Sequence, residues 1–536
     1  MTNIEIPNPQ DRHGVYRFFE MLPGLLSYLV LLMPLLLSFI SADAAALFIL
    51  TYIVIYFTRG IAYAIRVLSG YRTMNRHKKL HWRELMNEIN LGHVSSKHIV
   101  RPKWHYNNLT TVQNTPPVVK PESLIHAFIV ALYKESNEVI EPTIKSIIDS
   151  DYDIKKVILI IAYEERGGEK TREIAEKLIK KYQRHFYYCE AVMHPDGLKG
   201  EVIGKGGNIT FAGRQLKKYL EKENIDPARV VVTTLDADNR PDRQYLAALA
   251  YLYAVAPDPI RVSYQPLPMF TNNIWDVPAL MRAIAVGNNF FYLVLTQRPH
   301  LERNFSAHAQ SMRALIDMNF WSVRTIVEDG HQYWRSYFHY NGHYQVYPLS
   351  IPIYQDAVLA KGYLKTFKAQ FMQLSRWTYG ASDIAYIAKY GFARHNHISR
   401  RDFIPKFLRA LEGHVTWATG PLLLLISGFI PVLLHPQSYT ANALPLVVSH
   451  IQEIGLAGLS ASLFVAVKTL PPRPARYKAH RSILVFVQWI FLIVAPLIYG
   501  CSAALYSQTR LIFRRYPSMF NTTEKAVVTG DKQTLS

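Results

Sequence analysis

Cysteine is nearly absent from this chain: two occur in 536 residues, Cys189 and Cys501, far apart. That excludes a disulfide framework and a cysteine-based zinc site, and it fits a reducing compartment. Acidic residues are also scarce, 40 Asp and Glu against 60 Lys and Arg, for a formal net charge of +20. A surplus of that size points to nucleic acid or to an anionic membrane face. No internal repeat or low-complexity segment stands out. No Walker A loop is present either, because no Gly-Lys-Ser/Thr follows the required spacing. What the chain has in quantity is apolar side chains, 49% of residues. They pool at the two ends, and basic residues flank them, so the charge argues for a membrane and against nucleic acid. At about 150 residues per domain, the length suggests roughly three units.

Leu22 to Ile40 carries no charge and is long enough to cross a bilayer core. A second run, Ala44 to Thr58, follows after Ser41-Ala42-Asp43 and continues past Arg59 and Arg66. Together they read as a hairpin, with arginines long enough to snorkel to the interface. Arg12 and Arg17 before it, and Arg72, Arg76, Lys78 and Lys79 after it, place both flanks on the cytoplasmic side. Three further runs follow: Val415–Leu434, Ala441–Val467 with His450 and Glu453 inside it, and Ile483–Tyr506. His450 and Glu453 share a helix face, which suits either a bundle interior or a shallow segment. Five spans would put the C-terminus outside, whereas Arg510, Arg514 and Arg515 favour inside. Ahead of the third run, Phe403, Phe407, Leu408 and Leu411 recur at helical spacing beside Arg400, Arg401, Lys406 and Arg409. That pattern predicts a helix in the membrane interface, or a basic amphipathic helix packed on the soluble domain.

Between the apolar ends lies a mixed α/β stretch. LIHAFIVALY (124–133), VILIIAY (157–163) and VVVTTLDAD (230–238) are strand-like, and helical patterns separate them. Strands alternating with helices imply a largely parallel sheet, whose ligands bind at the carboxyl ends of the strands. Carboxylates fall at those ends: Glu164 and Glu165 after the second strand, Asp236 and Asp238 after the third.

Asp236-Ala237-Asp238 is the sharpest local signal. Two carboxylates that close repel unless a cation joins them, and a hard divalent ion bridging to phosphate is the natural one. A turn cluster before the next helix is the plain alternative, with Asp242 the better cap. Gly204-Lys205-Gly206-Gly207-Asn208 precedes a helical run and offers backbone NH groups to an anion, or is simply a turn. Glu328-Asp329 supplies a general base or a favourable helix start. Gln373-Leu374-Ser375-Arg376-Trp377 supplies an amide, a guanidinium for phosphate and an indole face for a sugar ring, or an ordinary core Trp beside a surface Arg.

The order of these motifs between apolar ends resembles the membrane-integrated family 2 glycosyltransferases, the group of cellulose, hyaluronan and chitin synthases. The resemblance spans about residues 120–380. It implies an α/β GT-A-type domain with a mostly parallel sheet, inserted between N- and C-terminal transmembrane helices. The expected divisions are a cytoplasmic segment 1–21, a transmembrane hairpin 22–70, a cytoplasmic linker 71–120 and a catalytic domain 121–395. An interfacial helix 396–413, a membrane region 414–506 and a tail 507–536 follow.

The resemblance also implies roles. Asp238 with Asp236 would bind the donor diphosphate through Mn2+ or Mg2+, and Asp329 would be the general base. Glu164 or Glu165 stands where the family has an Asp that contacts the nucleotide base. Lys205 and Asn208 would lie near the donor, and Gln373, Arg376 and Trp377 would line the donor and acceptor site. The expected partners are a nucleotide sugar, with UDP-sugar favoured, a polysaccharide or lipid acceptor, and the bilayer of a bacterial inner membrane. The chain departs from the family pattern at Val327, where Thr is usual, at Tyr133-Lys134-Glu135, where Tyr-Asn-Glu is common, and in that Glu for Asp. His300, His308, His331, His339 and His343 are numerous, yet their spacing matches no compact metal motif. Other readings are single-sugar transfer to a lipid and an inactive transporter or scaffold.

Overall fold

The computed structural model describes residues 4–95, 98–394 and 396–517. Its soluble part is built on an eight-stranded sheet. The strands are β1 Ile125–Leu132, β2 Val157–Glu164, β3 Tyr188–His194, β4 Val230–Asp236, β5 Arg240–Pro241, β6 Val262–Phe270, β7 Ala309–Ser311 and β8 Gln345–Gln355. Their order is β3-β2-β1-β4-β7-β6-β8-β5. The sheet is mixed: four pairings are parallel and three antiparallel. The parallel block β3-β2-β1-β4 matches the expected strand–helix alternation. The departures come from β7, which runs antiparallel to both β4 and β6, and from β5, which runs antiparallel to β8.

Alternation along the strands explains the layering. Phe128, Val130 and Leu132 of β1 and Val157, Leu159 and Ile161 of β2 belong to one core, with Val139, Ile140, Ile144 and Ile147 of the helix Asn137–Ile148. The intervening Ala127, Ile129, Ile158 and Ile160 belong to the core on the other face, with Ile209, Ala212 and Leu216 of the helix Lys205–Lys222. Each fully buried aliphatic side chain is worth about 1.5–3 kcal/mol against exposure, so a register slip of one residue would lose both cores. Residues 71–120 add to the first core: Trp82, Leu85 and Ile89 of the helix Trp82–Leu91, and Leu109 and Val112 of the helix Lys103–Asn114.

Among the described residues, four helices are long and apolar enough to cross a membrane: Gly14–Ile40, Ala42–Lys78, Arg400–Leu434 and His480–Ile512. The amphipathic stretch and the apolar run share one helix, Arg400–Ile426, which Pro405 near its start and Pro421 do not break. Phe403 and Phe407 of that helix are buried against Tyr333, Trp334 and Tyr337, so its apolar stripe covers the soluble domain. The helix Tyr439–Lys468 lies along Ala42–Lys78, where Leu444 and Val448 meet Ala46, Ile49 and Ile53. His450 and Glu453 are exposed on it, so they do not face a bundle interior.

The first and last apolar helices meet. Arg17 donates to the carbonyl of Ile512, Tyr28 and Thr509 hydroxyls lie 2.6 Å apart, and the Tyr516 hydroxyl donates to Glu20 at 2.7 Å. The start of the first apolar helix therefore stands beside the end of the last. The broken helix His480–Ile512 touches the soluble domain at both ends. Gln488 accepts from Arg282, and Ser507 Oγ donates to the Ser375 carbonyl at 2.6 Å.

Candidate active site

Parallel register brings the acidic strand ends to one edge of the sheet. Ala131 of β1 pairs with Asp236 of β4 and with Ala162 of β2, and Glu164 of β2 pairs with His194 of β3. Two groups of charged side chains form along that edge.

The first is centred on Lys205, the opening residue of the helix Lys205–Lys222. Lys205 is 8% exposed, and its ammonium lies 3.0 Å from Asp236 Oδ1 and 3.4 Å from Asp329 Oδ2. Burial opposes charge on Lys205, but Asp236, Asp329 and Glu328 outweigh it and hold the amine above its ordinary pKa. Ser306 Oγ donates to the other oxygen of Asp236 at 2.9 Å. Asp329 is the second residue of the helix Glu328–His339, so its carboxylate also meets the positive end of a helix dipole. Glu328 beside it is buried, and burial first, then the charge of Asp329, pushes its pKa well up.

His308 stands behind Asp329, with Nδ1 3.6 Å from Asp329 Oδ1. Its Nε2 is 3.2 Å from the Trp321 indole N–H, and its Nδ1 is 3.0 Å from the Phe305 carbonyl. An indole can only donate and a carbonyl only accept, so the ring is the neutral tautomer with its proton on Nδ1. Burial, the largest influence, lowers its pKa and agrees with that assignment.

The chain comes this close at the helix start because of glycine. A Cβ on Gly206 would lie 2.5 Å from the Ser322 carbonyl, and one on Gly207 would lie 2.6 Å from Glu201 Oε2.

The second group surrounds Glu164. His194 bridges it to Glu201, with Nδ1 3.2 Å from Glu164 Oε2 and Nε2 3.0 Å from Glu201 Oε2. Burial opposes charge on His194, yet the two carboxylates outweigh it and lift its pKa to about 9. Burial would raise Glu164, but His194 and Arg166 hold it below its ordinary value. Glu165 is exposed and accepts from the Asp196 amide at 2.9 Å.

The remaining predicted residues sit around the first group. Asp238 is 4% exposed, and its Oδ2 accepts from the Asp356 amide at 3.0 Å. Asn208 is buried and donates to the Ala162 carbonyl at 2.8 Å, tying the helix to β2, while its own Oδ1 has no protein partner. Arg376 is half-buried on the helix Tyr363–Thr378. Burial lowers its pKa, against the attraction of Asp236, Glu328 and Asp329. Gln373 accepts from Gln370 at 3.1 Å, and the Trp377 ring lies 6.1 Å from Phe270. Thr378 closes this helix against the last apolar one, donating to the Ala503 carbonyl at 3.0 Å. Asp242 caps a turn rather than a helix: it accepts from Gln244 at 3.1 Å, just ahead of the helix Tyr245–Val255.

Among the described residues, no group of three or more His, Cys, Asp or Glu is arranged to hold a metal ion. Asp236 and Asp238 alone still suit Mg2+ or Mn2+ bound with a diphosphate, because such ions take one or two carboxylates and draw other ligands from phosphate and water. The five histidines are dispersed among other duties; His331, for one, bonds Asp383 at 2.8 Å. Ser306, His194 and Glu201 carry no motif, and only the folded register brings them in.

No protein-family model and no curated protein matches the sequence. Solved structures with partial likeness include a mannosyltransferase from Pyrobaculum calidifontis in complex with GDP-Man and Mn2+, at 14% identity and TM-score 0.36, covering 81% of this chain and 99% of that one. S. aureus TarS 1-349 in complex with UDP-GlcNAc follows at 14% identity and TM-score 0.31, over 62% of this chain and 92% of that one. GalNAc-T7 with UDP, GalNAc and Mn2+ has 12% identity and TM-score 0.33, over 54% and 58%.

Proposed function

We propose that the protein is a membrane-embedded, inverting family 2 glycosyltransferase that moves a sugar from a UDP-sugar to a growing polysaccharide. The observation that carries this reading is the meeting of Asp236 and Asp329 on the Lys205 ammonium, at 3.0 and 3.4 Å. It joins a strand-end carboxylate suited to a donor diphosphate with a carboxylate suited to an acceptor hydroxyl.

In this reading the acceptor hydroxyl attacks the anomeric carbon of the donor sugar. Its proton passes to Asp329 as the new C–O bond forms, and the bond to the nucleotide diphosphate breaks. Asp236 and Asp238 would hold a divalent ion, which would supply positive charge for the departing diphosphate. Lys205 and Arg376 add fixed positive charge near it. His308, neutral and locked by Phe305 and Trp321, holds its N–H side toward Asp329 and limits where that carboxylate turns. Glu164 and Arg166 would face the nucleotide base, and Trp377 the sugar.

The four apolar helices would seat the chain in a bacterial inner membrane with the sheet on the cytoplasmic side. The contact of Thr378 and Ser375 with the last apolar helix supports a product that leaves toward the membrane. The test is nucleotide release and product length from the purified full chain with radiolabelled donors. A product ladder supports the polysaccharide reading, a single lipid-sized product replaces it with transfer to lipid, and no turnover of any donor favours an inactive scaffold.

A further inference from the structure

Four arginines converge at the junction of three elements, away from the carboxylate site. Arg59 and Arg66 lie seven residues apart on the helix Ala42–Lys78, hence on one stripe. The same stripe continues to Thr73, which accepts from Gln297 at 3.5 Å, and Ser69 donates to Gln297 at 2.8 Å. That docking seats Gln297, the residue before Arg298, on Ser69, one turn along the helix from Arg66. From the third element, the helix Arg400–Ile426, Glu412 bonds both Arg59 and Arg409, the latter at 3.2 Å.

Arg59 and Arg409 thus share the one carboxylate of Glu412. Among the described residues, neither Arg66 nor Arg298 forms an ion pair. Burial, and then the charges of Arg409, Arg66 and Arg59, hold Arg298 below its ordinary pKa. Like charges held together by packing favour an anion between them. Arginine is the side chain best suited to phosphate, through its planar fork of donors.

The surroundings narrow the anion. Two exposed apolar side chains form a rim beside the arginines: Ile65 at 63%, next to Arg66, and Leu408 at 54%, next to Arg409. A soluble anion gains nothing from such a rim. An amphiphile does, because its phosphate meets the arginines while its chains cover Ile65 and Leu408.

We infer that Arg59, Arg66, Arg298 and Arg409 form a binding site for the phosphate headgroup of an anionic bilayer lipid, where the helix Ala42–Lys78 meets the soluble domain. This rests on the membrane reading above.

The test is gentle-ionisation mass spectrometry of the full chain released from nanodiscs of mixed phosphatidylglycerol and phosphatidylcholine. The expected result is preferential retention of phosphatidylglycerol, reduced roughly tenfold in the Arg66→Gln/Arg298→Gln double variant. Arg72→Gln/Arg76→Gln removes the same charge from the exposed end of the same helix and should leave the preference intact. Equal retention of both lipids, equal loss in the two double variants, or displacement of the lipid by inorganic phosphate would each overturn the site. A chain that stays soluble without detergent and never enters nanodiscs would overturn the membrane reading and this site with it.

Discussion

Lys205 and Asp329 stand 3.4 Å apart across 124 residues of chain. Each opens a helix, Lys205 directly and Asp329 at the second position. The pair joins the glycine-rich turn to the acidic turn. Since Lys205 also holds Asp236, any change at one of these side chains is felt by the other two.

Asp329→Asn should abolish sugar transfer while donor binding survives. Losing a general base costs about 10²–10⁴-fold in rate. Calorimetric titration with UDP should give an affinity within a few-fold of the parent. Retained turnover would move the base elsewhere.

Lys205→Met should be damaging twice over. It keeps the volume but leaves Asp236, Asp329 and the buried Glu328 without their shared cation. Removing one partner from a buried ionic group costs about 3–5 kcal/mol, reduced here because Asp236 is partly exposed. The variant should melt several degrees lower and lose its activity. Unchanged melting would mean the ion pairs add nothing to stability.

Asp238→Ala should remove metal dependence and activity together. The structure adds a complication, because Asp238 also accepts the Asp356 amide. Asp238→Asn keeps an acceptor there, so it should restore the melting temperature without restoring metal-dependent turnover. An active, metal-independent variant at either substitution would refute the metal role.

The His194 clasp predicts a pH effect of definite sign. Its folded pKa, about 9, lies above its ordinary value. The clasp therefore stabilises fully below about pH 6.5 and fades as pH rises through about 9. Hydrogen exchange in residues 195–204 should quicken across that window. His194→Gln should exchange quickly at both ends of it. A flat profile in the parent would show that the imidazolium does not hold Glu201.

The carboxylates at strand ends were legible because β2 and β4 are short, largely apolar runs that end in an acid, Glu164 and Asp236. The other half of the sheet was not. β7 is three residues long and β5 two, too short to show a period. β3 is a half-buried edge whose Tyr188, Cys189 and Glu190 show no clean alternation. Motifs marked Asp236, Asp329 and Arg376, but not which atoms touch. Lys205 as the common partner, the tautomer of His308, and the pairing of Glu164 with His194 come from register and helix docking. The meeting of the first and last apolar helices was equally hidden, since Arg17, Glu20, Ile512 and Tyr516 come together only in the fold.

The central claim is that the Lys205 cluster transfers sugar from a nucleotide donor. Its most direct test is nucleotide diphosphate release by the purified full chain across a panel of UDP- and GDP-sugars, with Mn2+, with Mg2+ and with chelator. The account predicts UDP release from at least one UDP-sugar, only with metal, and none from Asp329→Asn. Release from no sugar nucleotide under either metal, by a chain that melts cooperatively and reconstitutes into lipid, would contradict it.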